Sequence, residues 1–177
     1  MENEYIRDAA MYAAVFGTFG FAWFGWAQEN PPKELRILLG IGSGISLVVA
    51  CMGGYLALKN WGSGSALEAT GAYQSFGIVV AIEIITALIG SLFLIKHKNA
   101  ERVAAWIAFV VGIHFIPLAV LFQDSWLYLL AFIISAISIV SVKITFKQIK
   151  QNTFVCLVTG TTLLIFAVRG LVLYTGV

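Results

Sequence analysis

Six long runs of apolar residues, separated by short polar connections, dominate the pattern along the chain. A helix needs about 20 mostly apolar residues to cross about 30 Å of hydrocarbon at about 1.5 Å per residue. The runs that meet this length are 9–27, 35–58, 73–95, 103–122, 126–142 and 153–174. Backbone groups inside lipid must bond within their own segment, so each run is predicted to be a helix. The sequence therefore predicts an all-α, polytopic bundle of six transmembrane helices, forming a single domain over residues 1–177.

The composition also supports a helical membrane protein and excludes other classes of protein. Of the 177 residues, 60% are hydrophobic and 11% are charged, and the mean hydropathy is +0.91. These values exclude a water-soluble globule with a polar shell. A transmembrane barrel would require alternating polar residues facing its lumen, which the apolar runs do not supply. There is no basic patch of the kind that binds nucleic acid, so the expected environment is a lipid bilayer and no nucleic-acid partner is expected.

Lysine and arginine are distributed unevenly between the two sides that six spans define, and cytoplasmic loops are enriched in these residues. One side carries Lys33, Arg36, Lys96, Lys98, Arg102, Lys143, Lys147 and Lys150. The other side carries Arg7 and Lys59 together with the acidic residues Glu2, Glu4, Asp8, Glu68 and Asp124. The sequence therefore predicts a multi-pass protein of the plasma membrane whose two termini are both extracytoplasmic.

The first span carries two stripes at helical spacing. Its small stripe consists of Ala10, Ala13, Gly17 and Gly20, and its aromatic stripe of Tyr12, Phe16, Phe19, Trp23 and Trp26. Small residues let helix backbones approach closely, so the small stripe is predicted to face a neighbouring helix. The aromatic stripe fits lipid contact or core filling, and alternatively the wall of a ligand cavity.

Two weaker patterns concern helix packing and symmetry. Gly40 and Gly44 in the second span have the four-residue spacing typical of close helix contact. Residues 43–48 (SGISLV) resemble residues 135–140 (SAISIV), an offset that also aligns Gly20 with Gly112. Six spans with both ends on one side divide into two halves of opposite orientation, as in many transporters. The sequence thus offers a candidate 3+3 inverted repeat.

Three ionisable side chains lie within the spans: Glu83, His114 and Arg169. A charge at the bilayer centre costs about 2.5–3.5 kcal/mol, so each group should face the bundle interior or water and find a partner. The depths of the three residues below the outer membrane boundary are compatible with one cluster in the outer half of the bundle. We expect Glu83 and Arg169 to pair, with His114 nearby as the group suited to proton exchange.

Further polar side chains share helical faces with these three groups. Together with Glu83, His114 and Arg169, the candidate ligand- or proton-binding residues are Thr86, Thr162, Ser135 and Tyr128. The alternative is purely structural. A Glu83–Arg169 pair would then lock two helices together, and His114 would hydrogen-bond a hydroxyl on a neighbouring helix.

Several kinds of chemistry are not expected. No span contains a lysine for a retinal Schiff base, and only one histidine lies in a span, which excludes bis-histidine haem ligation in the bilayer and disfavours a zinc site. The catalytic motifs GxSxG, HExxH and GxxxxGK[ST] are absent. No catalytic, cofactor or metal residue is therefore assigned, and an enzyme is the less favoured class. Cys51 and Cys156 lie too far apart in depth to form a disulfide.

The leading functional prediction is a membrane protein with an outward-facing polar pocket that binds or translocates a small solute or proton. In this prediction Glu83 supplies the central charge. Arg169 either pairs with it or contacts a substrate carboxylate, and His114 supplies a protonatable group. The first alternative is an accessory or assembly subunit that binds a partner membrane protein or a second copy of itself. An intramembrane enzyme that modifies lipid is the third. The residues do not specify the substrate, the direction or coupling of transport, or the oligomeric state.

Overall fold

The computed structural model describes residues 5–29, 31–143 and 149–176, so the predictions that involve Glu2, Glu4 and Lys147 lie outside the described residues. All regular structure in these ranges is helical. The elements are α1 (Ile6–Ala27), α2 (Lys33–Lys59), α3 (Ala66–Ala69), α4 (Tyr73–Lys96), α5 (Val103–Leu121), α6 (Trp126–Lys143) and α7 (Gln151–Thr175). A turn of 3-10 helix, Ala100–Arg102, leads into α5. The all-helical prediction is confirmed.

The long helices have the character of membrane spans. Five of them, α2, α4, α5, α6 and α7, are long and apolar enough to cross a membrane. Large apolar side chains stand on the outside of the bundle, among them Ile37, Phe132 and Ile89, whose exposed fractions are 77%, 71% and 63%. Apolar surface of this extent suits contact with acyl chains and not with water. The chain is therefore a helical bundle of the membrane type.

Helix α1 lies packed between α2 and α7, and small residues allow the close approach on both sides. A methyl group at Gly17 would come within 2.7 Å of the Ala50 backbone nitrogen in α2. One at Gly170 of α7 would come within 2.7 Å of the Ala13 nitrogen. The small stripe of α1 therefore faces neighbouring helices, as predicted, and it does so with two of them. This packing makes α1 the centre of a first group of three helices.

Helix α5 is the centre of a second group, flanked by α4 and α6. Gly112 admits the side chain and backbone of Ser135 of α6, and Gly90 of α4 admits the Trp106 ring of α5. Contacts of α7 with α6 and α5 join the two groups. Helix α4 is the most peripheral helix, because none of its residues is buried. In the described part of the chain, α5 is the one long helix along which α4 packs.

The two ends of the bundle differ in chemistry. The Arg7 end contains the start of α1, the linker 60–72 with its short helix α3, and the connection 122–125. The N-terminal end of α1 and the C-terminal end of α7 both lie here, because the Asn60 side chain that begins the linker donates to the Tyr174 hydroxyl at 3.1 Å. The opposite, basic end carries the described cationic residues Lys33, Arg36, Lys96, Lys98, Arg102, Lys143 and Lys150.

Not every glycine supports packing within the chain. A methyl group at Gly40 or Gly44 would meet open space, so this pair does not make the close contact that its spacing suggests. Gly42, on another face of α2, packs against the Phe24 ring instead. Both cysteines are free, with Cys51 exposed and Cys156 buried.

The glycine contacts predict contrasting effects of one added methyl group. Gly53→Ala should lower the free energy of unfolding by about 1–3 kcal/mol, because the new methyl would overlap the backbone nitrogen of Ala14 in α1. Gly44→Ala is the matched control. Its methyl has open space, and alanine favours helix by about 1 kcal/mol over glycine. Thermal unfolding in detergent measures both variants, and equal midpoints would contradict the close α1–α2 contact.

Candidate ligand cavity

A cavity of about 430 Å³ lies between α1, α4 and α5 and extends to the Arg7 end of the bundle. Its volume is within the range of small-molecule sites. Helix α1 supplies Met11, Tyr12, Val15, Phe16, Phe19 and Trp23; α4 supplies Tyr73, Phe76, Val80 and Glu83; α5 supplies Val111, His114, Phe115 and Leu118. The remaining lining residues are Arg7, Asp8, Trp61, Ser65, Leu67, Phe122, Leu127 and Leu163.

Glu83 and His114 form the polar centre of this cavity. Glu83 Oε2 lies 3.3 Å from His114 Nδ1, within ion-pair distance but without the geometry of a hydrogen bond. The two side chains are 20% and 9% exposed, so both are largely removed from the bundle surface. Within the described ranges no hydrogen bond to the Glu83 carboxylate is formed. The carboxylate therefore faces the cavity with its acceptor capacity unused, beside an imidazole that can carry a proton.

Nine aromatic residues line the cavity that contains this pair. Phe16 of α1 meets Phe115 of α5 edge to face, with ring centroids 5.7 Å apart. Phe122 contacts Tyr12 and Phe76 in the same way, at 5.7 Å and 6.0 Å. Edge-to-face pairs hold the rings in defined orientations. The cavity-wall interpretation of the α1 aromatic stripe therefore applies to all its members except Trp26, which stacks on Trp23 and does not line the cavity.

The linker 60–72 closes the Arg7 end of the cavity and is held there by two residues from the first turn of α1. Arg7 donates to the Trp61 carbonyl at 2.8 Å and to the Tyr73 hydroxyl at 3.2 Å, and it lies 3.5 Å from Glu68. The Asp8 carboxylate accepts the Ala66 backbone N–H at 2.7 Å. These bonds join α1, the linker and α4 into a roof over the cavity.

Arg169 does not take part in the cavity. The expected Glu83–Arg169 pair is replaced by a bidentate pair with Asp124, whose oxygens lie 2.7 Å and 3.1 Å from the guanidinium nitrogens. Asp124 is fully buried, and the Arg169 guanidinium also lies over the Trp126 ring. Arg169 is near the end of α7, level with the connection 122–125, so Asp124 is closer in depth than Glu83. The resulting pair fixes this connection to α7.

The other sequence-derived candidates lie apart from the cavity. Thr86 is exposed on α4, and its carbonyl accepts a bond from Trp106. Thr162 is buried, and its hydroxyl donates to the Val158 carbonyl. Ser135 packs on Gly112 and Tyr128 is 46% exposed on the bundle surface. The structure thus brings together Glu83 and His114 alone from the predicted set.

Sequence reasoning missed the roof residues. The sequence places Arg7 and Asp8 outside the first span and allows the Gly- and Ser-rich linker to order as a small outer loop, but it predicts no bonds between them. A signal was present, since adjacent opposite charges at a helix start can hold a Gly- and Ser-rich loop through side-chain bonds. Within the described ranges no cluster of three His, Cys, Asp or Glu side chains could hold a metal ion.

No protein-family model, curated protein or solved structure matches this chain. The geometry of the cavity is therefore the guide to function.

The buried Asp124–Arg169 pair predicts a strong effect of removing one charge. Asp124→Asn should destabilise the protein by about 3 kcal/mol, because the guanidinium loses its carboxylate partner in a buried setting. Replacing both residues by leucine should recover part of the loss, since no charge is then left unpaired. Thermal unfolding in detergent is the measurement, with the exposed Glu34→Gln as control. A wild-type midpoint for Asp124→Asn would contradict a structural role for the pair.

Proposed function

We propose that this protein binds, and carries across or within the membrane, a small and mostly apolar solute that has one cationic or hydrogen-bond-donating group. The observation that supports the proposal is the Glu83 carboxylate, which faces an aromatic cavity without a hydrogen bond of its own. Aromatic faces attract organic cations, and a carboxylate in a weakly hydrated site attracts them further. The initial hypothesis of a polar pocket is thereby narrowed to an aromatic pocket with a single polar centre.

The distribution of charge around the cavity favours a cation over an anion. Arg7, the one arginine in the lining, already contacts Glu68, the Tyr73 hydroxyl and the Trp61 carbonyl. Asp8 is engaged by the Ala66 amide. Glu83 is left with an imidazole that is charged only when protonated. In the proposed mechanism a bound cation replaces a proton on the Glu83–His114 pair, and this exchange couples solute binding to proton release.

The proposal includes α1 as a sixth span. Helix α1 has 22 residues and packs between two helices that are themselves long and apolar enough to span a membrane. Contacts support this along its whole length, from Ala9 beside Gly170 to Phe24 beside Gly42 and Gly160. Because α1 packs against α2 on one side and α7 on another, its residues on those two faces need not match the apolarity of lipid-facing helices.

A 3+3 inverted repeat is also part of the proposal. If α1, α2 and α4 correspond to α5, α6 and α7, the contact between α1 and α2 corresponds to that between α5 and α6. The contact between α7 and α1 then corresponds to that between α4 and α5. All four contacts are among the main helix contacts of the bundle, and the two central helices α1 and α5 take equivalent places.

Binding of a charged probe tests the function. Tetraphenylphosphonium should bind saturably to the reconstituted protein, whereas tetraphenylborate, an anion of similar shape, should not. Glu83→Gln should weaken phosphonium binding by at least about tenfold, the effect of losing one charge-assisted contact. Glu101→Gln, an exposed carboxylate at the basic end, is the matched control and should bind as wild type. Equal binding of the two probes, or wild-type affinity in Glu83→Gln, would overturn the assignment of Glu83.

Cysteine labelling tests the proposed plasma-membrane orientation, in which the basic end faces the cytoplasm. In a background with Cys51→Ala and Cys156→Ala, Ser63→Cys in the exposed part of the linker should react in intact cells with a membrane-impermeant maleimide. Glu101→Cys at the basic end should react only after permeabilisation. The reverse pattern would invert the topology and leave the cavity assignment unaffected.

The accessory-subunit alternative has one observation in its favour. Gly40 and Gly44 face outward from α2 with open space beside them, a spacing that permits close approach of another helix. Purification in mild detergent separates the two functions. An accessory subunit would be recovered with a stoichiometric partner and would fail to bind the phosphonium probe.

A further inference from the structure

On the side between α1 and α4, the cavity is not closed by packing of one helix against the other. Both helices line the cavity. Helix α1 packs along α2 and α7, whereas α4 packs along α5, and α1 with α4 is not among the helix pairs in substantial contact. The cavity therefore separates the two helices along the height of Val80 and Glu83.

Residues of α1 at this gap are exposed although they line the cavity. Val15 is 39% exposed and Phe19 is 55% exposed, whereas Phe16 and Trp23 on the same helix are 5% and 6% exposed. The exposed pair marks the mouth of the cavity, and the buried pair marks its interior. Both mouth residues are apolar.

The mouth opens at the depth of the acyl chains. Helices α1 and α4 start at the same end, since Arg7 of α1 contacts the Tyr73 hydroxyl of α4. At about 1.5 Å per residue, Val15 lies about 14 Å from the start of α1, and Glu83 lies about 15 Å from the start of α4. These depths fall near the middle of a hydrocarbon layer about 30 Å thick. A molecule at the mouth is therefore dissolved in lipid and not in water.

The route from water at the Arg7 end is covered by the roof. Leu67 and Trp61 of the linker line the cavity there, and the bonds of Arg7 and Asp8 hold the linker in place. The side facing lipid has no corresponding cover among the described residues.

We infer that the solute reaches Glu83 sideways from the bilayer, through the gap between α1 and α4, so that the substrate class is the lipid-soluble organic cation. This inference rests on the proposed function. It adds that a substrate must partition into hydrocarbon before it binds, and that Val15 and Phe19 form the portal. A strongly hydrated cation with the same charge is excluded by its cost of transfer into lipid.

Reversible closure of the portal tests the inference. In the background with Cys51→Ala and Cys156→Ala, Val15→Cys and Val80→Cys place thiols on opposite walls of the mouth. A bifunctional thiosulfonate reagent joins them, and a reductant releases them. The rate of tetraphenylphosphonium binding to proteoliposomes should fall at least about tenfold on cross-linking and recover on reduction, because the bridge between the two thiols lies across the mouth.

The control separates closure of the portal from occupation of the cavity. The same double variant labelled with a monofunctional thiosulfonate carries added atoms without a bridge, and it should bind the probe at nearly the unlabelled rate. Equal binding rates in the bridged and the monofunctionally labelled protein would overturn the lateral portal. If instead the unlabelled wild-type protein binds no phosphonium, the proposed function fails, which is a different result.

Discussion

The close contact of α1 with α2 and α7 is the packing interaction on which the cavity depends. Small residues on the three helices bring the backbones together, so that α1 is fixed on two sides. Tyr12 and Phe16 of its aromatic stripe then line the cavity on the remaining side, where Phe16 meets Phe115 of α5. Helix α4 has no comparable contact with α1 and is held by α5. The cavity lies between α1, which its neighbours fix in place, and α4, which lies at the periphery of the bundle.

Charges in the bundle fall into two kinds according to their partners. Arg7, Asp8, Asp124 and Arg169 are largely buried, and each has a partner that fixes a connection at the Arg7 end. Burial of a charge is tolerated in such cases because the partner and its hydrogen bonds offset the loss of hydration. Glu83 is different, since its neighbour is a titratable imidazole and the α4 and α5 lining on either side of it is aromatic or aliphatic. A carboxylate in this environment raises the free energy of the folded protein unless a bound ligand or a proton neutralises its charge.

Much of the architecture was accessible from the sequence because hydrophobic run length is a direct consequence of bilayer thickness. The long helices agree with the predicted spans within a few residues at each end. The small stripe of α1 was informative because only small side chains permit the observed backbone approach. Gly40 and Gly44 have the same spacing but meet no helix among the described residues, which shows that spacing alone does not identify the packed face.

Prediction of the site was less complete for a physical reason. Depth along each helix could be estimated from residue number, but rotation about the helix axis could not, so Thr86 and Tyr128 were assigned to faces that turn outward. Arg169 was matched with Glu83 because Asp124 was assigned to the aqueous side. A long side chain pairs with the carboxylate that is nearest in the folded protein. A hydropathy pattern does not show that a connection folds back onto the bundle.

The contact between Gly90 and the Trp106 ring gives α4 a fulcrum near the basic end. Beyond it, about 25 Å of helix extends to Tyr73, so a tilt of about 10° would displace that end by about 4 Å and break the hydrogen bond from Arg7 to the Tyr73 hydroxyl. With 24 residues, α4 is about 36 Å long and exceeds the hydrocarbon layer, a mismatch that helices relieve by tilting. The width of the cavity should therefore follow the thickness of the surrounding membrane, and lipids with longer or shorter chains would set how far α4 leans from α1.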